Sequence, residues 1–284
     1  MDTIKIAFTD FWPEWKYEDF ITPILAKYYN VVIDNNNPDI LFHSIFGRNA
    51  VNYHCKKILF LGENWRPEQF KSDYSISFDP HNETNFRLPL WQVYLILQPE
   101  LKERLFNRLT YNEHEFTRWG AFTVSNPSNI IRNSAYFELN TYRHVHSYGK
   151  VFTNNNTLQT YTANKYWRDA KDEFFLSNPH KFMLAYENTP YRYYCTEKLM
   201  DAFLVGALPI YWGDPRVGED WNENAFMNVT KYNGNLVELI KDVDTNNDRF
   251  KRYYNEPVFN EEQKKKLEDN LINFESWLIE KIKI

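Results

Sequence analysis

The chain has 284 residues, of which 43% are hydrophobic and 18% aromatic, and it carries a formal net charge of −5 at pH 7. A length of this order favours two domains over a single one. The acidic balance excludes the broad basic surface with which proteins bind nucleic acid, so an anionic ligand must be held by a few local lysine and arginine side chains.

The first part of the chain alternates short apolar runs with stretches of helical spacing. Five runs predict strands: IKIAFTDF (4–11), NVVID (30–34), DILFHSI (39–45), KILFLGE (57–63) and YSISFD (74–79). A helix is predicted over residues 91–106, where apolar residues recur at helical spacing. Strands that alternate with helices in this way indicate an α/β domain built around a mostly parallel sheet.

The alternation restarts after a polar stretch at residues 110–117. Strands are predicted at WGAFTVSN (119–126), HVHSYG (144–149), KFMLAYEN (181–188), ALPIYWG (207–213) and FMNVT (226–230). Helices are predicted to open at Asn126-Pro127, to run over 166–176, and to follow Thr196. We therefore expect an N-terminal domain over 1–112, a C-terminal domain over 113–256 and a helix over 257–284.

Ligands of open α/β sheets bind at the carboxyl ends of the strands, which directs attention to the residues just past each predicted strand. Glu63, Arg132, the Glu187-Asn188 pair and Trp212-Gly213 occupy such places. Candidate functional residues are therefore expected in both domains.

Thr196 is placed to cap a helix whose first residues are Glu197 and Lys198. Two interpretations stay open on these residues alone. One is an ordinary Glu-Lys pair on a helix surface. The other is an anion site, because a helix start attracts negative charge and a lysine in its first turn adds a full positive charge there.

The segment YENTPYRYYCTEKLMDAF (186–203) and the subsequent GALPIYWG (206–213) resemble the α-1,3/4-fucosyltransferase family. The shared pattern is E-N, an aromatic loop, Y-x-T-E-K, D-A and G-A-x-P-I-Y-W-G. Similarity extends more weakly through ILFLGEN (58–64) and SNPSNIIRN (125–133). The chain departs from the family at Cys195, where an aliphatic residue is usual.

The resemblance implies a glycosyltransferase fold of the B type, with two Rossmann-like domains facing across a cleft. It implies that the C-terminal domain holds GDP-fucose. By matched position, Lys198 and Arg132 are expected to bind the diphosphate, Asn188 and Tyr194 to donate neutral hydrogen bonds to it, and Glu197 to accept hydrogen bonds from ribose or fucose hydroxyls.

The resemblance also implies that the N-terminal domain supplies most of the acceptor site, with Glu63 as the catalytic base. The alternative for Glu63 is a structural role, either capping the next loop or pairing with Arg66. Trp12, Trp15 and Trp65 are candidate stacking faces for sugar rings, although each is also a candidate core residue.

No metal or other cofactor is expected. Asp242-Val243-Asp244 has the Asp-x-Asp spacing of metal-dependent sugar-nucleotide enzymes, but it comes after an amphipathic run and indicates a polar helix end. The 7 histidines show no metal-ligand spacing, and there is no G-x-G-x-x-G or P-loop motif. Cys55 and Cys195 indicate reduced thiols, and no leader or membrane span is visible, which predicts a cytoplasmic location.

The last predicted helix places Leu267, Leu271, Phe274 and Leu278 on one face. It is expected to pack back on the body of the protein. The alternative is peripheral attachment to an anionic membrane surface, which its basic residues would favour.

The resemblance therefore implies an inverting enzyme that moves L-fucose from GDP-fucose to a glycan hydroxyl. The resemblance implies an α-1,3 linkage to GlcNAc of an N-acetyllactosamine-type acceptor. Two alternatives stay open: an inverting transferase with another donor such as GDP-mannose, and a non-catalytic protein that binds nucleotide sugars or glycans on the same fold.

Overall fold

A computed structural model describes residues 1–13, 18–108 and 116–283. By its contacts the chain divides into two compact units: unit 1 comprises Met1–Pro99 with Lys265–Ile284, and unit 2 comprises Glu100–Lys264. The predicted domain boundary between residues 112 and 113 lies outside the described residues. The predicted limits of the two domains and of the C-terminal helix stay a prediction.

Unit 1 is built on a six-stranded parallel sheet in the order β2-β1-β3-β4-β5-β6. The strands are β1 (Thr3–Thr9), β2 (Asn30–Ile33), β3 (Ile40–His43), β4 (Lys56–Phe60), β5 (Tyr74–Ser77) and β6 (Asn85–Arg87). Two helices also belong to this part of the chain, α1 (Glu18–Leu25) and α2 (Leu90–Leu97). The five predicted strands are confirmed, while β6 and α1 were not predicted.

The C-terminal helix, α10 (Glu261–Ile282), completes the core of unit 1. Phe274, Leu278 and Ile282 are fully buried in the same apolar cluster as Phe20 and the inward-facing residues of β1. The Phe274 ring stacks on Phe20 with the ring centroids 5.5 Å apart. The apolar face of this helix is therefore covered within unit 1.

Unit 2 is built on a five-stranded parallel sheet in the order β11-β10-β9-β7-β8. Its strands are β7 (Arg118–Phe122), β8 (Val145–Ser147), β9 (His180–Tyr186), β10 (Leu208–Trp212) and β11 (Met227–Asn228). Its helices are α3 (Glu100–Phe106), α4 (Ile130–Tyr142), α5 (Thr157–Thr162), α6 (Trp167–Ser177), α7 (Glu197–Leu204), α8 (Leu236–Thr245) and α9 (Asn247–Tyr254).

Two predicted helices differ from the structure, and the difference has a local cause in each case. The helix predicted over 91–106 is two helices, because Pro99 cannot continue the hydrogen-bond ladder: α2 ends at Leu97 and α3 begins at Glu100. The helix predicted to open at Asn126-Pro127 begins at Ile130. Asn129 caps it, since its side-chain oxygen accepts from the backbone N–H of Arg132 at 2.8 Å.

Strand β10 has the burial pattern of a central strand in a parallel sheet. All five of its residues are buried, as expected for a strand covered on both faces. Gly206, between α7 and β10, has a φ of 71°, a left-handed conformation that ends a helix at little cost for glycine.

In the part of the chain that the structure describes, no helix combines the length and apolarity that a membrane crossing requires.

Candidate active site

The order of strands in unit 2 reverses between β7 and β9, which are neighbours in the sheet. Such a switch point opens a crevice at the carboxyl ends of the two strands. A cavity of about 290 Å³ lies there, lined by the four residues just past β7, by Asn188 after β9, and by residues of α4, α6 and α7. Arg132, Asn188, Glu197 and Lys198 all line it. Four of the five predicted donor-binding residues are therefore brought together.

Arg132 projects from the first turn of α4 and is 1% exposed. Its guanidinium donates to the side-chain oxygen of Asn188 at 2.8 Å and to the backbone carbonyl of Asn126. Burial lowers the pKa of Arg132, and the charge of Glu187 acts in the opposite direction. An arginine keeps its charge under such a shift, so Arg132 is a fixed cation in the wall of the cavity.

Asn188 joins the end of β9 to the start of α4. Its backbone carbonyl accepts from the side-chain amide of Asn129 at 2.7 Å, and its side-chain oxygen accepts from Arg132. The oxygen end of the Asn188 amide is thus directed at Arg132. Its nitrogen end is the one that can donate to a ligand.

Lys198 lies in the first turn of α7 beside two carboxylates. Its ammonium is 3.2 Å from Glu187, 3.5 Å from Glu197 and 2.9 Å from the hydroxyl of Thr196. Glu187 is fully buried and accepts from the backbone N–H and the hydroxyl of Thr196 at 2.8 and 2.7 Å. Thr196 occupies the N-cap position of α7, as predicted, but its side chain makes no capping hydrogen bond, because its hydroxyl donates to Glu187.

The charges of this group depend on one another. Burial raises the pKa of Glu187, while Lys198 acts to lower it. Burial would lower the pKa of Lys198, but Glu187 and Glu197 outweigh that effect and hold it well above its ordinary value. Burial acts to raise the pKa of Glu197, but Lys198, Lys171 and a backbone hydrogen bond together outweigh it and the pKa is lowered. Lys198 is therefore an ammonium and Glu197 a carboxylate near neutral pH.

Tyr194 is the predicted donor-binding residue that does not line the cavity. Its side chain is 1% exposed, and it acts to raise the pKa of both Arg132 and Lys198. The phenol thus lies near both cations and is buried, although it does not line the cavity. The neighbouring Tyr193 has a φ of 69°, and its backbone N–H donates to Asp214 at 2.7 Å, which fixes the turn before α7.

Trp167 and Lys171 on α6, and Asp201 on α7, also line the cavity and were not found from the sequence. Asp201 comes four residues after Glu197, so helical spacing alone places both on one face of α7. No sequence signal marks Trp167 or Lys171, because α6 comes to the cavity through the topology of the sheet.

Glu63 lies in unit 1, three residues after β4, at the edge where β1 and β3 also end. It is half-buried. Trp12 is partly buried against the core beside Gly62, and Trp65 is 49% exposed. The predicted stacking residue Trp15 lies outside the described residues.

The loop that carries Glu63 is anchored by Arg66. This side chain donates to Asp79 at 2.6 Å and to Asn64, and its guanidinium lies 4.4 Å from the ring centroid of Phe78. The backbone N–H of Trp65 donates to the carbonyl of Glu63 at 2.7 Å. The loop is thereby held against the end of the sheet.

The Asp-x-Asp sequence lies at the end of α8, as predicted. Asp242 pairs with Arg249, while Asp244 accepts from Lys181 at 2.7 Å and pairs with Arg143 at 3.3 Å. Both carboxylates are engaged by cationic side chains. Over residues 1–13, 18–108 and 116–283, no group of three or more His, Cys, Asp or Glu residues is arranged to hold a metal ion.

Two protein-family models together match most of the chain. A model described as the alpha-(1,3)-fucosyltransferase FucT N-terminal domain matches residues 6–94. A model described as the C-terminal part of glycosyltransferase family 10 (fucosyltransferase) matches residues 114–272, which is more than half of the chain. The predicted family resemblance is confirmed.

Two of the individual proteins to which the chain is similar are named as fucosyltransferases. The alpha-(1,3)-fucosyltransferase FucT of Helicobacter pylori is 28% identical over an alignment that covers 87% of this chain and 58% of that protein. The 4-galactosyl-N-acetylglucosaminide 3-alpha-L-fucosyltransferase 9 of Bos taurus is 31% identical over 42% of this chain and 31% of that protein. The chain thus spans less than two thirds of the length of these relatives.

Among solved structures, an alpha1,3-fucosyltransferase crystallised with GDP-fucose matches with a TM-score of 0.73 and 24% identity, covering 98% of this chain and 91% of that one. This likeness confirms the predicted α/β fold of the glycosyltransferase B type, with one Rossmann-like sheet in each unit.

Proposed function

Because the chain belongs to glycosyltransferase family 10, the fucosyltransferase family, we propose that it transfers L-fucose from GDP-fucose to a glycan hydroxyl with inversion at the sugar carbon. The Helicobacter pylori and Bos taurus relatives are named as alpha-1,3-fucosyltransferases, and we extend the proposal to an α-1,3 linkage onto GlcNAc of an N-acetyllactosamine-type acceptor.

The cavity at the switch point of unit 2 carries this proposal. It combines two cations, Arg132 and Lys198, with a carboxylate, Glu197, that is 25% exposed. A nucleotide sugar requires both kinds of group: cations for the diphosphate, and hydrogen-bond acceptors for the sugar hydroxyls. Asn188 and Tyr194 complete the proposed donor site as neutral hydrogen-bond donors to the diphosphate, with Tyr194 lying near the two cations.

The proposed reaction is a single displacement. The acceptor oxygen forms a bond to the anomeric carbon of fucose, the bond from that carbon to the β-phosphate oxygen breaks, and GDP leaves with the electron pair. Negative charge grows on the phosphate as the bond breaks, so fixed cations at Arg132 and Lys198 stabilise the transition state more than the bound donor.

Glu63 is the proposed base that takes the proton of the acceptor hydroxyl. A sugar hydroxyl is a weak nucleophile at neutral pH, and inversion requires a base on the face of the sugar opposite the leaving phosphate. The position of Glu63 at the carboxyl edge of the unit 1 sheet supports this role, since that edge is where open α/β sheets bind their ligands.

A panel of donors tests the proposal. The protein is incubated with an N-acetyllactosamine acceptor and, in separate reactions, GDP-fucose, GDP-mannose and UDP-galactose, and nucleotide release is measured with and without EDTA. We expect acceptor-dependent GDP release from GDP-fucose, unchanged by EDTA, and an α-1,3 product by NMR. Release from GDP-mannose alone would identify another transferase. Binding without release would identify a non-catalytic protein.

We also propose a cytoplasmic location for the enzyme, with any membrane contact confined to the exposed basic side chains of α10. The apolar face of that helix packs in the core of unit 1, which supports an electrostatic contact over an inserted one. Flotation with anionic and with neutral vesicles tests this, and binding to neutral vesicles would contradict it.

A further inference from the structure

Helix α6 brings two cations to a single carboxylate of α7. Arg168 pairs with Asp201 at 2.6 Å, and the ammonium of Lys171 contacts the other oxygen of the same carboxylate. Arg168, Lys171 and Asp201 are 4%, 9% and 7% exposed. Lys171 and Asp201 also line the cavity of unit 2, so this buried ion cluster is part of the wall of the proposed donor site.

Asp201 lies one helical turn after Glu197 on α7. Two carboxylates at this spacing repel each other, and Asp201 does act to raise the pKa of Glu197. Lys171 acts in the opposite direction and lowers that pKa, although its ammonium contacts Asp201. The charge of Lys171 therefore acts on both carboxylates of α7.

The balance of charge around Glu197 shows what Lys171 contributes. The groups that act on Glu197 are Lys198 and Asp201 from its own helix and Lys171 from α6, and Glu197 in turn acts on Glu187 at the end of β9. Lys198 and Lys171 are thus the two cations that act on Glu197, while Arg168 pairs with Asp201 and Glu187 acts on Arg132. Removing Lys171 takes one of the two cations that act on Glu197 out of the wall of a site that must accept a diphosphate.

We propose that Lys171 is a positioning residue of the donor site, whose ammonium joins α6 to α7 through Asp201 and holds the cavity-lining face of α7, with Glu197, in place for the donor. The inference rests on the proposed function, because it requires a hydroxyl-bearing, anionic donor in the unit 2 cavity. Lys171 acts through Glu197 and Lys198 and takes no part in the bond changes.

The test replaces Lys171 by Met, which preserves the length of the stem and removes the charge. Asp201 keeps Arg168 as its partner in this variant, so the fold is expected to persist. The matched control is Lys165→Met, which removes a lysine that pairs with Glu173 at 3.7 Å and does not line the cavity. Lys171→Arg restores the charge and should restore binding.

The readout is the affinity for GDP-fucose between about pH 3.5 and pH 8, measured by calorimetry, because the pKa of Glu197 lies below its ordinary value. GDP-fucose is used in place of GDP because a terminal phosphate titrates near pH 6. A carboxylate accepts hydrogen bonds from hydroxyls more strongly than a protonated carboxyl does, so affinity is highest above the pKa of Glu197 and falls as the pH drops through it. Lys171→Met removes a charge that lowers that pKa, so we expect the acidic limb to move to higher pH and GDP-fucose to bind several-fold more weakly on that limb.

Asp201→Asn supplies a second variant with the opposite expectation. Removing the Asp201 charge lowers the pKa of Glu197, so the acidic limb should move to lower pH. If both variants bind GDP-fucose with the pH profile of the unmodified protein, the role of Lys171 is refuted while the proposed function stands. If the unmodified protein does not bind GDP-fucose at all, the proposed function itself fails.

Discussion

The two sheets share a parallel, switch-point architecture but differ in the segments that connect their strands. In unit 2, β7 and β9 lead to α4 and α7, whose first turns carry Arg132 and Lys198. In unit 1, residues 34–39 join β2 to β3 and residues 44–55 join β3 to β4 without an α-helix. A helix start offers unpaired N–H groups and a positive dipole, so unit 2 has the features of an anion site and this part of unit 1 does not.

The cavities of the two units differ in the same way. Beside β1 in unit 1 lies a cavity of about 950 Å³ whose lining is rich in asparagine and, among the residues that the structure describes, includes no lysine or arginine. The lining carboxylate of Asp39 accepts from the backbone N–H of Lys5 at 2.8 Å. Neutral amides match uncharged hydroxyl groups, whereas the cavity of unit 2 matches a charged diphosphate. The comparison supports donor binding by unit 2 and acceptor binding by unit 1.

Glu63→Gln should produce the largest change and should separate the two roles. Glutamine preserves the shape of the side chain and removes its basicity, so kcat is expected to fall by about 10² to 10⁴ while the affinity for GDP-fucose stays nearly constant. Steady-state kinetics and calorimetry on the same protein measure the two effects. Glu268→Gln, at an exposed carboxylate of the same unit on α10, is the matched control.

A Glu63→Gln enzyme with half of the original kcat would end the assignment of the base to Glu63. Glu68 and Glu83 would then be tested in unit 1. Glu187 is the third candidate, although its complete burial beside Lys198 argues against contact with an acceptor.

Lys198→Ala should produce the next largest change. Unlike Glu63→Gln, it should lower both kcat and the affinity for GDP-fucose. Charge grows on the phosphate in the transition state, so kcat is expected to fall by about 10² to 10³ and GDP-fucose binding to weaken as well. Lys241→Ala, an exposed lysine of α8, is the control. A change confined to KM for the acceptor would place Lys198 outside the donor site and undo the comparison between the units.

The sequence predicts the sheets well because buried parallel strands are continuous apolar runs. KILFLGE, for example, contains most of β4, whose last three residues are buried. Strand β6 was missed because it is held by polar side chains: Asn85 is 2% exposed and its side-chain oxygen accepts from Ser75 and Ser77, each at 2.8 Å. Local apolarity cannot reveal a buried strand of this kind.

The residues of the candidate site likewise divide into those that the sequence identifies and those that only the tertiary structure reveals. A strand end and a helix start identify Glu187, Asn188 and Lys198 from local pattern, whereas Arg132 gained its role from the family resemblance. Lys171 and Asp201 have the appearance of helix surface charges, and only the packing of α6 on α7 buries them together. Pairing between distant helices is a property of the tertiary fold, which spacing along one helix does not encode.

Leu278→Ala tests whether unit 1 depends on the end of the chain while unit 2 does not. Leu278 is fully buried in the unit 1 core, so truncation to alanine should lower the free energy of unfolding by about 2 to 5 kcal/mol. Ile272→Ala on the same helix is the control, since Ile272 is 67% exposed. Denaturant titrations measure the change. Equal stability of the two variants would show that α10 contributes little to unit 1.

Gly213→Ala should have the smallest effect, and it probes how unit 2 holds its charges. A Cβ at Gly213 would lie 2.5 Å from Cγ of Glu187 and 2.8 Å from the hydroxyl of Tyr211, closer than van der Waals contact allows. Glu187 is fully buried and fixed by Thr196 and Lys198, so it cannot move away without displacing Lys198.

The expected cost of this overpacking is about 1 to 3 kcal/mol of stability, with a measurable loss of GDP-fucose affinity through the displaced ammonium. Gly120→Ala in β7 is the matched control, because its Cβ would meet Val145 at 3.4 Å, an ordinary contact. A loss of stability without a loss of affinity would mean that Glu187 does not position Lys198. Retention of both would mean that the turn after β10 yields, and that the charges of unit 2 are held less firmly than the contacts of Glu187 indicate.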